Sequence, residues 1–141
     1  MTLKQVFLLV AVAMIVSIGN VRACKCATVT QEFGYAAKNS PLVFSGQLIS
    51  VTEVAKSGAT GAYLIRLFKF VPNKIWRGIK ADTITLVSGN NNCDVMLKNG
   101  VYIIYTNPTR DLISCNRIIK SSGIEAETRR LDKVFIRKRF K

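Results

Sequence analysis

Runs of strand-favouring apolar residues recur along most of this chain, and they break into segments at glycine, proline and asparagine. Residues 42–54 favour strand, with Gly46 near the middle marking a bulge or a sharp bend. Residues 56–61, Lys-Ser-Gly-Ala-Thr-Gly, read as a turn or flexible loop. A second strand is expected over residues 63–71, rich in aromatic and branched side chains, with Pro72 ending it or marking a bulge. Residues 83–87 form a third, with Ile84 and Leu86 facing one way. Asn99-Gly100 is a strong turn signal that opens a fourth strand over residues 101–106, and residues 112–119 make a fifth that carries Cys115.

Two stretches follow the helical period instead. Residues 29–39 place Phe33 and Ala37 on one face, Thr28 with Gln31 suits a capping box, and Ser40-Pro41 stops the helix. Residues 122–138 carry an apolar stripe of Ile124, Leu131, Val134 and Phe135, and Ser122 with Glu125 repeats the capping pattern. The expected fold is mainly β: a five-stranded OB-type barrel with a short amino-terminal helix and a carboxy-terminal helix, stapled by disulfides.

The amino terminus changes the setting. Lys4 precedes an almost unbroken apolar run over residues 6–18, and Val21-Arg22-Ala23 offers acceptable residues to a signal peptidase. A membrane span needs about 20 apolar residues, more than this run supplies. Residues 1–23 are therefore read as a cleaved signal peptide and residues 24–141 as one secreted domain with no transmembrane anchor after processing. The setting is extracellular, or periplasmic in a bacterium. All four cysteines, Cys24, Cys26, Cys93 and Cys115, fall in the mature part, and an even count in an exported domain of this size reads as two disulfides. Cys24 and Cys26 are too close to pair comfortably with each other, so each is expected to reach a distant partner. A four-cysteine zinc site usually shows two close pairs, and Cys93 and Cys115 are not one.

Composition narrows the chemistry. With 21 Lys and Arg against 8 Asp and Glu, the chain carries a net charge of +13. It has no histidine, which removes histidine-based triads and most hydrolytic zinc sites, and committed cysteines leave no thiol nucleophile. The reading is a binding protein that is not an enzyme and needs no cofactor. For an exported chain, sulfated glycans or extracellular matrix are the anionic partners expected of a basic patch, here Arg129, Arg130, Arg137, Lys138, Arg139 and Lys141. Nucleic acid is the partner an OB-type fold with this charge would suggest, and export argues against it.

A further set of residues carries a resemblance. The mature start Cys24-Lys25-Cys26, the stretch Ser40-Pro41-Leu42-Val43-Phe44-Ser45-Gly46, the run Val71-Pro72-Asn73-Lys74-Ile75-Trp76-Arg77-Gly78, a cysteine after a glycine-asparagine loop, Gly100-Val101-Tyr102-Ile103-Ile104-Tyr105 and a last cysteine at Cys115 occur in this order. The order resembles the netrin-like domain of tissue inhibitors of metalloproteinases and spans nearly the whole mature chain. The resemblance implies pairing of Cys24 with Cys93 and of Cys26 with Cys115. It implies that the α-amine and carbonyl of Cys24 chelate the catalytic zinc of a target metalloproteinase, with Lys25 directed into the specificity pocket. Cys26, Ala27, Thr28, Asn91 and Asn92 would complete the contact ridge. The chain departs from the family in having four cysteines where six are typical, in Lys25 where a small or hydroxyl residue is usual, and in Ala27-Thr28-Val29 where a proline-bearing stretch is usual. The alternative is a netrin-like binding module in which Cys24 and Cys26 only staple the terminus to the barrel.

Overall fold

The computed structural model describes residue 26 and residues 28–59, 61–89, 95–107, 109, 111–112 and 115–136, without the side chains of residues 28 and 29. The expected signal peptide lies outside the described residues. Two short helices, α1 (Thr28–Gln31) and α2 (Phe33–Asn39), precede the strands β1 (Val43–Gly58), β2 (Gly61–Arg77), β3 (Ile84–Ser88), β4 (Gly100–Tyr105) and β5 (Ile118–Lys120). A 3-10 turn (Ser121–Gly123) then leads into helix α3 (Ile124–Ile136).

The fold is mainly β, as the strand-favouring runs imply. The five strands form one antiparallel sheet in the order β3-β2-β1-β4-β5. The expected barrel does not close. Among the described residues, one parallel bridge joins the β3 edge to the segment before β5, Val87 with Asp111, where the Leu112 amide donates to the Val87 carbonyl at 2.7 Å. The reason lies in the fifth strand. It was expected over residues 112–119 but pairs with β4 only through Ile118–Lys120, because Cys115 sits in a turn bonded to Cys26. A chain diverted to meet Cys26 does not continue alongside β3.

Bulges curl the open sheet around a core. Along the β1–β2 ladder the register shifts at three places, Val43/Phe44, Ser45/Gly46 and Leu48/Ser50, and each extra residue bends the ribbon. Gly46 faces Pro72 at the middle shift, and a Cβ there would stand 2.9 Å from the Val71 carbonyl oxygen and 3.2 Å from Pro72 Cα. Pro72 therefore marks a bulge and does not end the strand. Phe44, Leu48, Phe68, Phe70, Ile84, Leu86, Tyr102 and Ile104 fill the concave face, spaced two positions apart along β2, β3 and β4 and four apart along β1 across Gly46, with Phe44 edge-on to Phe70 at 5.5 Å.

The other face is covered by helices. Val43, Ile103 and Tyr105 meet Ala36 and Ala37 of α2 and Leu131 of α3, with Phe33, Trp76, Ile119, Ile124 and Phe135 around the rim. Trp76 thus packs under α3, and its indole Nε1 donates to Asp132 Oδ1 at 2.7 Å. Lys74 Nζ donates to the same oxygen at 2.6 Å, so Asp132 ties α3 to the end of β2.

Three local expectations differ. The first helix is interrupted at Glu32, whose backbone is extended (φ −68°, ψ 138°). The loop expected over residues 56–61 shrinks to the two residues between Gly58 and Gly61, which pair directly, with Gly61 at φ +116°. Cross-strand pairing, including the Arg66–Glu53 ion pair at 2.8 Å, carries Lys56 and Ser57 into the ladder. Ser122 lies inside the 3-10 turn, not at the N-cap of α3, and Glu125 pairs with Arg129 at 3.3 Å.

Leu131 is fully buried between α3 and the sheet. Leu131→Ala is expected to destabilise the protein by about 3 kcal/mol, through lost transfer energy and the cavity left behind. A lowered urea midpoint with an unchanged m-value is the check.

Candidate functional site

The described part of the expected ridge is its anchorage. Cys26 is bonded to Cys115 across 89 residues of chain. Closing a loop of that length stabilises the fold by about 4 kcal/mol through the unfolded state. This is one of the two pairings that the resemblance implies; the other, Cys24 with Cys93, lies outside the described residues. So do Lys25, Ala27, Asn91 and Asn92. Thr28 opens α1.

Helix α1 has four residues, too few to hold its own shape. It is held from outside. Thr30 Oγ1 lies 3.5 Å from the Cys115 carbonyl oxygen, and Arg117 Nη1 donates to the Gln31 carbonyl at 2.6 Å. Both contacts come from the turn that bears Cys115 and leads into β5. The same Arg117 makes a two-pronged pair with Glu127 of α3, Nε to Oε1 at 2.7 Å and Nη2 to Oε2 at 3.0 Å. Tyr105 Oη, at the end of β4, donates to Glu127 Oε1 at 2.7 Å. Arg130 Nη1 lies 3.6 Å from Glu127 Oε2, and its guanidinium stacks 4.2 Å from the Phe33 ring centroid.

This network sets the ionisation of its members. Burial alone would raise the Glu127 pKa. Hydrogen bonds from Arg117 and Tyr105 and the charges of Arg117 and Arg130 outweigh it, and the carboxyl is held below its ordinary value. Burial, reinforced by the hydrogen bond to Glu127, pushes the Tyr105 hydroxyl well above its usual range, so it stays protonated and donates. Arg117 is raised by its hydrogen bond to Glu127.

Beside the anchorage lies a cleft of about 370 Å³, lined among others by Thr30, Tyr35, Asn39, Thr106, Cys115 and Asn116. Of the expected basic patch, Arg129 and Arg130 lie on α3 and are paired with Glu125 and Glu127. Arg137, Lys138, Arg139 and Lys141 lie outside the described residues. Among the described residues no group of three or more His, Cys, Asp or Glu could hold a metal ion, and no helix is long and apolar enough to cross a membrane.

The Tyr105–Arg117–Glu127 network was not anticipated from the sequence. One signal was present: Glu127 falls within the apolar stripe of α3, three residues after Ile124 and four before Leu131. A carboxylate on a buried face needs a cationic partner. No family model matches the chain, and no curated protein matches it.

Because the folded-state pKa of Glu127 is lowered, its contribution to stability is present above the ordinary value of 4.5 and is lost as pH falls through the folded value. Asp132, held low by hydrogen bonds from Lys74 and Trp76, acts with the same sign. Glu127→Gln is therefore expected to be less stable than the parent by about 3 kcal/mol at pH 7, since Arg117 loses its buried partner. The gap should narrow as both proteins are acidified below pH 4.5. Urea midpoints measured across that range test the sign.

Proposed function

We propose that this protein is a secreted inhibitor of zinc metalloendopeptidases of the tissue-inhibitor type. The observation that carries the reading is the Cys26–Cys115 staple, two residues beyond Cys24 in a chain with a Cys-x-Cys start. Removal of residues 1–23 would leave Cys24 with a free α-amine beside its own carbonyl oxygen, a pair that closes a five-membered ring on one metal ion. A catalytic zinc keeps an open position for water or substrate, and an amine with a pKa of about 8 readily gives up its proton to such an ion. Amine and carbonyl then take the place of the catalytic water. A staple this close to the chelating residue lowers the ordering entropy lost on binding.

In this reading Lys25 enters the specificity pocket of the target. A long cation suits a deep pocket with an acidic or hydrated floor and is disfavoured in a closed apolar one, where its charge would be desolvated. Asn91 and Asn92 widen the ridge beside the terminus. The target is a protease that prefers a basic residue at the corresponding substrate position.

The secreted protein, with its amino-terminal residue identified by sequencing, is expected to inhibit such a metalloendopeptidase with one-to-one stoichiometry. Acetylating the α-amine, or placing one alanine before Cys24, should weaken inhibition at least ~100-fold, because the amine–metal bond is lost while the fold is retained. Inhibition that survives either change would overturn the chelating mechanism. Retention on heparin without any inhibition would favour the non-inhibitory binding module.

A further inference from the structure

We propose that Arg117 is a positioning residue through which helix α3 sets the orientation of the amino-terminal segment that carries Cys26. The functional consequence rests on the inhibitor reading; the geometry does not.

A disulfide fixes where a segment is attached but leaves it free to turn about the attachment. The Arg117–Gln31 hydrogen bond, at 2.6 Å, supplies a second point five residues further along the chain. It is charge-assisted and short, whereas the neighbouring Thr30 contact to Cys115 is long at 3.5 Å. What makes Arg117 an orienting group is its planar fork. Two of its nitrogens are committed to the two oxygens of Glu127, so the direction of the third is determined by where α3 holds that carboxylate. Glu127 in turn is buried and held by the Tyr105 hydroxyl. The Arg117 backbone is fixed as well, its carbonyl accepting the Tyr105 amide at 3.1 Å. Arg130 extends the link by stacking on Phe33, the first residue of α2.

The line from α3 to α1 therefore runs through groups whose positions are each determined twice. A chelating terminus must be held to about 0.5 Å to act on a metal in a partner's cleft. Loosening α1 should weaken such binding without altering the chelating atoms.

Two variants test this. Arg117→Lys keeps a cation for Glu127 but cannot form the fork. The double variant Arg117→Gln with Glu127→Gln removes both charges, so no buried charge is left unpaired and the fold is retained. Hydrogen–deuterium exchange is followed by peptide mass spectrometry, with urea midpoints measured in parallel. In both variants, exchange over residues 28–33 should rise about tenfold while β4 changes less than about twofold, the pattern of local opening. Exchange that rises uniformly, in step with global stability, would mean that Arg117 only stabilises the fold. Full protection retained in Arg117→Lys would mean that the fork is not needed. Either result overturns the proposal.

Inhibition is read on the same variants. If the parent inhibits, the variants should bind about tenfold more weakly with the Cys24 amine intact. Unchanged inhibition by a demonstrably loosened segment would overturn the positioning role. If the parent does not inhibit, the inhibitor reading falls and the exchange pattern alone decides the geometric claim.

Discussion

The buried carboxylate of Glu127 is the point on which the mutual placement of helices α1 and α3 depends. It lies on the core-facing side of α3, where an unpaired charge is strongly unfavourable, and two other segments and α3 itself supply its partners. Tyr105 comes from the end of β4, Arg117 from the turn before β5 and Arg130 from α3 itself. Buried ion pairs of this kind add little net stability, since desolvation offsets most of the attraction. Their effect is on geometry: the carboxylate can be satisfied only if α3, β4 and the Cys115 turn adopt one relative placement. Once they do, Arg117 still has a donor for the Gln31 carbonyl, and the amino-terminal helix is drawn into the same arrangement.

The sheet supplies the surface on which this happens. Three register shifts in the β1–β2 ladder bend it until one face encloses Phe44, Phe68, Phe70, Leu86 and Ile104. The convex face would be left wet, and α2 and α3 cover it with Ala36, Ala37 and Leu131. The small alanines let α2 lie close to the sheet. Asp132, with Lys74 and Trp76, secures α3 along its outer side. The same bend that forms the core thus places both helices on one side, near enough for a single arginine to contact each.

Much of the architecture was legible in the amino-acid order. The inward positions of β3 follow from the alternation at Ile84 and Leu86, whereas β4 is an apolar run buried on both faces, whose inward set, Tyr102 and Ile104, the order of residues does not single out. The bulge at Gly46 and the stripe of α3 were equally visible. The extent of the first hairpin was not, because Lys56 and Ser57 have weak strand preference of their own and are extended only by pairing with Tyr63 and Ala62. The fifth strand misled for a related reason: residues 112–119 look extended, but Cys115 is claimed by Cys26. Of the candidate ridge, the residue types could be read, and so could the chemistry of a terminal amine and carbonyl. The means of holding that ridge could not, since Arg117 and Gln31 are 86 residues apart.

By itself, then, the sequence determined whatever depends on neighbours within a turn or a strand: the five strands, the helical character of the segments before and after them, and a cysteine pattern that calls for long-range staples. Tertiary structure alone decided that the sheet stays open, that Cys115 leaves the fifth strand to meet Cys26, and that Glu127 gathers Tyr105 and Arg117. Local patterning acts through steric and burial preferences of adjacent residues. These other features depend on distances between segments dozens of residues apart, which are set only when the bulged sheet curls and the helices settle on it.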